Sequence, residues 1–124
     1  MAAVLGIGGF FFRADDPDAL ADWYDRHFGV LKVPQDYDQP AWQQQAGTTV
    51  FAPFARDSGF FGRPEQDWML NFRVADLDGM VADLRAAGIP VDVDPALHPN
   101  GRFAQLTDPE GNPIQLWEPG GVAG

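Results

Sequence analysis

Two matching stretches, FRADDPD at residues 12–18 and FRVADLD at residues 72–78, decide how the chain is interpreted. Phenylalanine, arginine and two aspartates occupy the same places in both. Each stretch follows an apolar segment and precedes an amphipathic one, which stops at Gly29 in the first copy and at Gly88 in the second. An internal repeat indicates that one structural unit is used twice, and a unit this small cannot cover its own apolar face. We therefore predict two similar modules that share one core.

Within each copy the pattern predicts a strand, a helix and three further strands. Asp16 before Pro17, and Asp76 in the second copy, are typical helix N-caps, because their carboxylates accept hydrogen bonds from free backbone N–H groups of the first turn. DPEGN at residues 108–112 is a strong turn signal that joins the last two strands as a hairpin. The predicted strands are residues 4–14, 31–37, 42–46 and 48–53 in the first copy, and residues 69–74, 91–97, 102–107 and 113–118 in the second.

This arrangement predicts an α+β fold in which two βαβββ modules form a curved mixed sheet around a concave pocket. We expect one domain over residues 1–124, with a first module at about 4–55, a link at about 56–66 and a second module at about 67–119. The link contains glycine, proline and charges of both signs and is a candidate for a mobile flap. A chain of 124 residues can bury one core but not two independent ones.

The composition argues against several classes of function. Eight basic and eighteen acidic residues give a net charge of −10, which repels the phosphate backbone of nucleic acids. The chain has no cysteine, so it forms neither a disulfide nor a thiolate site, and we expect a cytoplasmic location. The apolar residues 1–12 lack the basic start of a signal peptide, and no apolar run approaches the ~20 residues that span a bilayer. We expect neither a nucleic-acid partner nor a membrane.

Several stretches resemble the vicinal oxygen chelate superfamily, which includes glyoxalase I, extradiol dioxygenases, fosfomycin-resistance transferases and bleomycin-binding proteins. The matching stretches are IGG at 7–9, residues 16–24 with FG at 28–29, FRVAD at 72–76 and, most specifically, DPEGNPIQL at 108–116. The resemblance covers nearly the whole chain. It implies the glyoxalase/bleomycin-resistance fold and, in typical members, a divalent metal that binds two neighbouring oxygens of the substrate.

The positions at which the superfamily carries metal ligands hold other residues here. By the resemblance, these positions are Gly9, Thr49, Met69 and Gln115. None is a histidine or a carboxylate, and a thioether or an amide is a poor ligand for most divalent ions. His27 and His98 fall at other places, which we expect to be a helix end and a loop at the surface or at the rim of the pocket. We therefore expect no metal and no other cofactor.

The alternation of side chains along each strand predicts which residues face the pocket. One phase, which includes Phe72 and Ile114, is expected to pack under the helices. The opposite phase combines aromatic rings, carboxamides and an arginine, as suits a flat or partly apolar organic ligand. The candidate ligand-binding residues are Phe11, Trp42, Met69, Asn71, Arg73, Phe103, Gln105, Gln115 and Trp117.

Three classes of function fit these features. We favour a metal-independent small-molecule-binding protein similar to the bleomycin-binding members, and the net charge of −10 attracts a cationic ligand. The second class is an enzyme of the superfamily, such as a lyase, an isomerase or a dioxygenase, with an atypical or absent metal. No acid or base is predicted to face inward, so catalytic residues are unknown. The third class is a sensor or partner subunit. The resemblance also implies a homodimer, with strands of both chains completing each cavity.

Overall fold

The computed structural model describes residues 2–120 and contains two helices and one four-stranded sheet. In chain order the elements are α1 (Pro17–Phe28), β1 (Leu70–Arg73), α2 (Leu77–Ala86), β2 (Asp92–Val93), β3 (Gly101–Thr107) and β4 (Pro113–Pro119). The expected α+β fold is confirmed, with a mixed, curved and unclosed sheet. Within residues 2–120, neither helix has the length and apolar character needed to cross a membrane.

Both helices begin at the predicted caps. The carboxylates of Asp16 and Asp76 each accept a hydrogen bond from the backbone N–H three residues further on, at 3.1 and 3.0 Å. Gly29 ends α1 with a φ of 70°, a left-handed conformation that a β-carbon disfavours. Local signals therefore define where α1 starts and stops, and where α2 starts.

The sheet has the strand order β1-β4-β3-β2. β1 runs parallel to β4, whereas the pairs β4–β3 and β3–β2 are antiparallel. At the turn between β3 and β4, the buried carboxylate of Asp108 accepts hydrogen bonds from the backbone N–H groups of Glu110 and Asn112, at 2.9 and 3.0 Å. This turn closes the predicted hairpin and fixes the register of the two central strands.

The core lies between the helices and one face of the sheet. Its largest fully buried side chains are Leu77, Leu84, Ile114 and Leu116. Leu20 and Tyr24 of α1 join this cluster, and Phe72 of β1 packs against it. The strand phase that was predicted to pack under the helices is therefore confirmed for β1 and β4.

The first module differs from the expectation. None of its predicted strands, at residues 4–14, 31–37, 42–46 and 48–53, forms within residues 2–120. Their apolar side chains are largely exposed, as shown by Phe11 and Phe51 at 94% and 84%. Alternation predicts which side chains share a face, but it does not supply the neighbouring strand whose backbone groups must pair. The division into a first module, a link and a second module stays a prediction.

The strand predicted at residues 91–97 is also shorter than expected, because β2 covers Asp92–Val93 alone. Pro95 has no N–H to donate to a neighbouring strand. The carboxylate of Asp94 accepts a hydrogen bond from the N–H of Ala96 at 2.9 Å, which bends the backbone into a turn.

A buried hydrogen bond connects α1 to the turn between β3 and β4. The hydroxyl of Tyr24 donates to a carboxylate oxygen of Asp108 at 2.6 Å, and both residues are less than 7% exposed. Burial, together with this hydrogen bond, raises the pKa of Tyr24 well above its ordinary value. The turn that closes the hairpin thus also contacts the first helix.

Two glutamates of the last hairpin hold the starts of both helices. The carboxylate of Glu110 accepts from the backbone N–H groups of Asp15 and Asp16, at 2.7 and 3.0 Å, just before α1. Glu118 of β4 accepts from the N–H of Leu77, the first residue of α2, at 2.9 Å. Negative charge at a helix start also interacts favourably with the helix dipole.

Candidate ligand-binding site

The face of the sheet opposite the helices carries two rows of side chains that cross the strands. The first, which we call the amide row after its three carboxamides, consists of Asn71, Gln115, Gln105 and the carboxylate of Asp92, one residue from each strand. The second, the aromatic row, consists of Arg73, Trp117 and Phe103. Directly paired residues project to the same side of a sheet, so both rows face the same space.

A cavity of about 1540 Å³ lies against these rows. Seven of the nine predicted ligand-binding residues line it, namely Trp42, Met69, Asn71, Arg73, Phe103, Gln115 and Trp117. Gln105 lines a smaller cavity of about 550 Å³ that shares Phe103 and Gln115 with the larger one. The structure therefore brings eight of the nine residues to adjoining spaces.

Phe11 is the exception, since it lines neither cavity. Its neighbours Phe10 and Phe12 pack on Trp68, with ring centroids 5.1 and 4.9 Å apart, while Phe11 itself extends into solvent. The prediction for Phe11 depended on a strand at residues 4–14. Because that segment does not join the sheet, alternation along it does not direct the side chain to the pocket.

Trp117 and Phe103 form a fixed aromatic surface. Trp117 is 8% exposed, and its indole N–H donates to the backbone carbonyl of Asn100 at 2.8 Å. The ring of Phe103 lies nearly parallel to it, with an interplanar angle of 5° and centroids 6.4 Å apart. Gly101, at a φ of 131°, permits this packing because a β-carbon there would meet the Trp117 indole nitrogen and the Glu118 carbonyl.

The amide row is partly paired and partly open. The side-chain NH₂ of Asn71 donates to the side-chain carbonyl of Gln115 at 2.7 Å. Each carboxamide has one acceptor oxygen and one donor NH₂ group, so the pair leaves one of each for a ligand. These free groups are placed beside the aromatic surface, where they can orient a bound ring.

Arg73 supplies positive charge at the β1 edge of the cavity. Its guanidinium donates to the backbone carbonyl of Gln45 at 2.8 Å. Among the described residues it forms no ion pair with a carboxylate. The side chain therefore links β1 to residues 42–45, which also line the cavity, and keeps a charge there without a carboxylate partner among the described residues.

Carboxylates border the smaller cavity at the β2 edge. His98 and Asp94 lie 2.9 Å apart, from the imidazole Nε2 to a carboxylate oxygen. This hydrogen bond, followed by the one from the N–H of Ala96, lowers the pKa of Asp94. Asp92, the last member of the amide row, lines the same cavity. Charge along the sheet therefore changes from positive at β1 to negative at β2.

The residues present do not fit a divalent metal centre of the kind found in the superfamily. In the part of the chain that the structure describes, no group of three or more His, Cys, Asp and Glu side chains could hold a metal ion. Thr49, Met69 and Gln115 line the large cavity, but the Gln115 oxygen already accepts a hydrogen bond from Asn71. Gly9 offers no side chain. A hydroxyl, a thioether and an engaged amide make a weak donor set.

The sequence reasoning missed aromatic residues in the link, and on either side of it, that line the cavity. Phe54, Phe60 and Phe61 pack against one another and line the large cavity, as does Trp68. Two consecutive phenylalanines at 60–61 were a signal for this cluster, because such residues in a segment rich in glycine and proline need an apolar contact.

The fold and the cavity define a small α+β protein with an open pocket of aromatic rings and carboxamides. The chain belongs to the Glyoxalase-like domain family, whose model matches residues 9–117. The resemblance to the vicinal oxygen chelate superfamily is thereby confirmed. No protein with a curated description matches the chain significantly.

Solved structures give further similarities. TnmS3, an antibiotic binding protein from Streptomyces sp. CB03234, is 26% identical with a TM-score of 0.64, over 97% of this chain and 100% of that chain. A protein assigned to the glyoxalase family from Bacillus anthracis shares the fold, at 19% identity and a TM-score of 0.53, over 83% of this chain and 84% of that chain. A glyoxalase/bleomycin resistance protein from Streptomyces sp. CB03234 is 38% identical over 44% of this chain and 48% of its own, with a TM-score of 0.38.

Proposed function

We propose that this protein binds and sequesters a small organic molecule with a flat, partly apolar ring system, such as an antibiotic. The observation that carries the proposal is the fixed pair of Trp117 and Phe103 beside the Asn71–Gln115 amides, in a cavity of about 1540 Å³. Aromatic rings supply contact area, and a few polar groups orient the ligand. The likeness to TnmS3, an antibiotic binding protein, supports this class of ligand.

Binding in this proposal needs no metal. The support is the chemistry of the four positions at which the superfamily carries its ligands, since Gly9, Thr49, Met69 and Gln115 offer neither imidazole nor carboxylate. The enzyme class predicts a different behaviour. A thermal shift of several degrees with Zn²⁺, Mn²⁺, Ni²⁺ or Fe²⁺, abolished by Gln115→Ala, would favour a metal-dependent enzyme and contradict metal-independent binding.

We further propose that the protein acts as a homodimer in the cytoplasm, where its lack of cysteine is no disadvantage. Support for the dimer comes from the apolar side chains of the first module, which a second chain would cover. β1 and β2 are edge strands of an unclosed sheet, with backbone groups free to pair with a further strand. A monomer by light scattering at micromolar concentration, with fast amide exchange over residues 4–14, would contradict the dimer.

Calorimetric titration with doxorubicin, a planar antibiotic, tests the ligand class and the site together. We expect Phe103→Leu to weaken binding about threefold to tenfold, because aromatic contacts contribute about 0.5–1.5 kcal/mol beyond buried area. Tyr37→Leu is the matched control, since Tyr37 is fully exposed and lines neither cavity, and it should leave the affinity unchanged. Equal effects of the two substitutions would contradict the proposed site.

A further inference from the structure

The amide row spans the full width of the sheet. Strand register pairs Asn71 with Gln115, Gln115 with Gln105, and Gln105 with Asp92, without a gap from β1 to β2. Neighbouring strands lie about 4.8 Å apart, so the row is about 14 Å long. The members of this row are exposed or half-buried, whereas Ile114 and Leu116 on the other face are fully buried. The row is therefore a continuous polar track on an otherwise aromatic surface.

Hydrogen-bonding capacity remains along this track. The Asn71–Gln115 bond is the one side-chain hydrogen bond between members of the row in the described residues. It leaves a carbonyl oxygen and an NH₂ group near β1 and β4, while the Gln105 carboxamide keeps both functions and Asp92 can only accept. The free NH₂ group belongs to Gln115 on β4 and the free carbonyl to Asn71 on β1, and the guanidinium of Arg73 adds donors at the β1 end. The β2 end accepts hydrogen bonds from a cation.

The charges beside the amide row also differ between its two ends, positive at β1 and negative at β2. Arg73 lies at the β1 end and lines the large cavity without a carboxylate partner in the described residues. Asp92 and Asp94 lie at the β2 end and line the smaller cavity. Because the two cavities share Phe103 and Gln115, one molecule can extend from one end of the row to the other.

We infer that the ligand binds along the amide row in a single orientation, with the oxygens of a planar ring system toward Gln115 and Arg73 and a protonated amine toward Asp92. The inference rests on the proposed function and specifies its ligand class as flat, oxygen-bearing rings that carry an amine. Hydroxyl or carbonyl oxygens of the ligand accept hydrogen bonds from the Gln115 NH₂ group and the Arg73 guanidinium. The amine meets the carboxylates about two strand spacings from the Asn71–Gln115 pair, and the ring face contacts Trp117 and Phe103.

Two probes of nearly equal shape test the orientation. Doxorubicin carries hydroxyquinone rings and a protonated aminosugar, and N-acetyldoxorubicin has the same rings without the positive charge. Calorimetry with both probes is done on the unmodified protein and on the variants Asp92→Asn and Arg73→Gln. Asp38→Asn is the matched control, because it removes the same charge from an exposed residue that lines neither cavity.

We expect Asp92→Asn to weaken doxorubicin about threefold, the range of an exposed ion pair, and to leave N-acetyldoxorubicin within about 1.5-fold. Arg73→Gln should weaken both probes by the same factor, and Asp38→Asn should change neither. Equal weakening of both probes by Asp92→Asn, or an equal effect of Asp38→Asn on doxorubicin, would overturn the orientation and leave the proposed function standing. Failure of both probes to bind the unmodified protein would contradict the proposed function and the orientation with it.

Discussion

The two halves of the molecule use similar residue patterns with different results. Residues 69–120 form all four strands and supply most of the buried core, including Leu77, Ile114 and Leu116. Residues 2–68 form one helix, and their extended apolar segments lie in solvent. In the second half, the turn at 108–112 places β3 beside β4, and the chain through α2 runs from β1 at one edge of the sheet to β2 at the other. The difference shows that an alternating pattern becomes a sheet where a turn or crossover supplies a partner for each strand.

The largest expected effect is the loss of stability when a buried leucine of residues 69–120 is truncated, and an exposed leucine of residues 2–68 is its control. Leu116→Ala should reduce the free energy of unfolding by about 3 kcal/mol, because it opens a cavity at a fully buried site. Leu5→Ala removes the same atoms from an exposed side chain and should change stability by less than about 0.5 kcal/mol in a dilute, monomeric sample. Urea titration measures both values. Similar losses would show that the first half packs without a second chain.

The hydrogen bond between the halves is tested with the two tyrosines of the chain. Tyr24→Phe should reduce stability by about 2 kcal/mol, since hydrogen bonds to charged groups contribute about 1.5–3 kcal/mol. Tyr37→Phe removes a hydroxyl from a fully exposed ring and should have no measurable effect. If both variants unfold at the same urea concentration as the parent protein, the Tyr24–Asp108 contact does not stabilise the assembly of the halves.

The same tyrosine predicts how stability depends on alkaline pH. Its pKa is raised by burial and by Asp108, so its contribution is fully present below the ordinary tyrosine pKa near 10 and is lost as the pH rises further. We expect stability to fall above pH 10 in the parent protein and to fall less in Tyr24→Phe. Parallel pH profiles of the two proteins, measured by urea titration, would rule out this origin of the alkaline sensitivity.

A smaller effect is expected at the start of α1. Glu110→Gln keeps one carbonyl oxygen for the N–H groups of Asp15 and Asp16 but removes the second acceptor and the charge, which should reduce stability by about 1 kcal/mol. Glu65→Gln alters an exposed glutamate 3.7 Å from Arg63 and is the matched control, with an expected loss below about 0.5 kcal/mol. Amide exchange at Asp15 and Asp16 should accelerate in Glu110→Gln alone.

The smallest expected effect is on unfolding at acidic pH and involves Asp94, which directly follows β2. The pKa of Asp94 is lowered, first by His98, so its favourable contribution is present above the ordinary aspartate pKa near 4 and is lost as the pH falls through the lowered value. Asp94→Asn should therefore unfold with a slightly weaker dependence on pH below 4 than the parent protein. Identical acid unfolding curves would show that the His98–Asp94 contact has no energetic role in solution.

Local features of this fold could be predicted, and long-range ones could not. Asp16, Asp76 and Gly29 define helix ends through their immediate neighbours, so the sequence is sufficient there. The pairing of Gln105 with Gln115 follows from the turn at 108–112 that joins their strands. Much of the candidate site lies on β3 and β4, which this turn joins, whereas the pairing of β1 with β4 is a long-range contact.

The remaining parts depend on contacts between distant residues. Phe11 was assigned to the pocket from alternation alone, but no neighbouring strand holds its segment within residues 2–120. The consecutive Phe60 and Phe61 signal an apolar contact, but they do not specify Phe54 as its partner or the cavity as its place. The identity of a partner strand is a property of the folded molecule and is not contained in the alternation of one segment.

The glutamates that hold the helix starts have a consequence for biosynthesis. Glu110 contacts the start of α1 and Glu118 the start of α2, yet both lie on the last hairpin, far beyond the helices in chain order. A ribosome adds about 5–20 residues per second from the N-terminus, so both helices are made before either carboxylate exists. The nascent chain therefore completes these contacts only when the hairpin of β3 and β4 has left the exit tunnel, and until then the starts of both helices lack these acceptors.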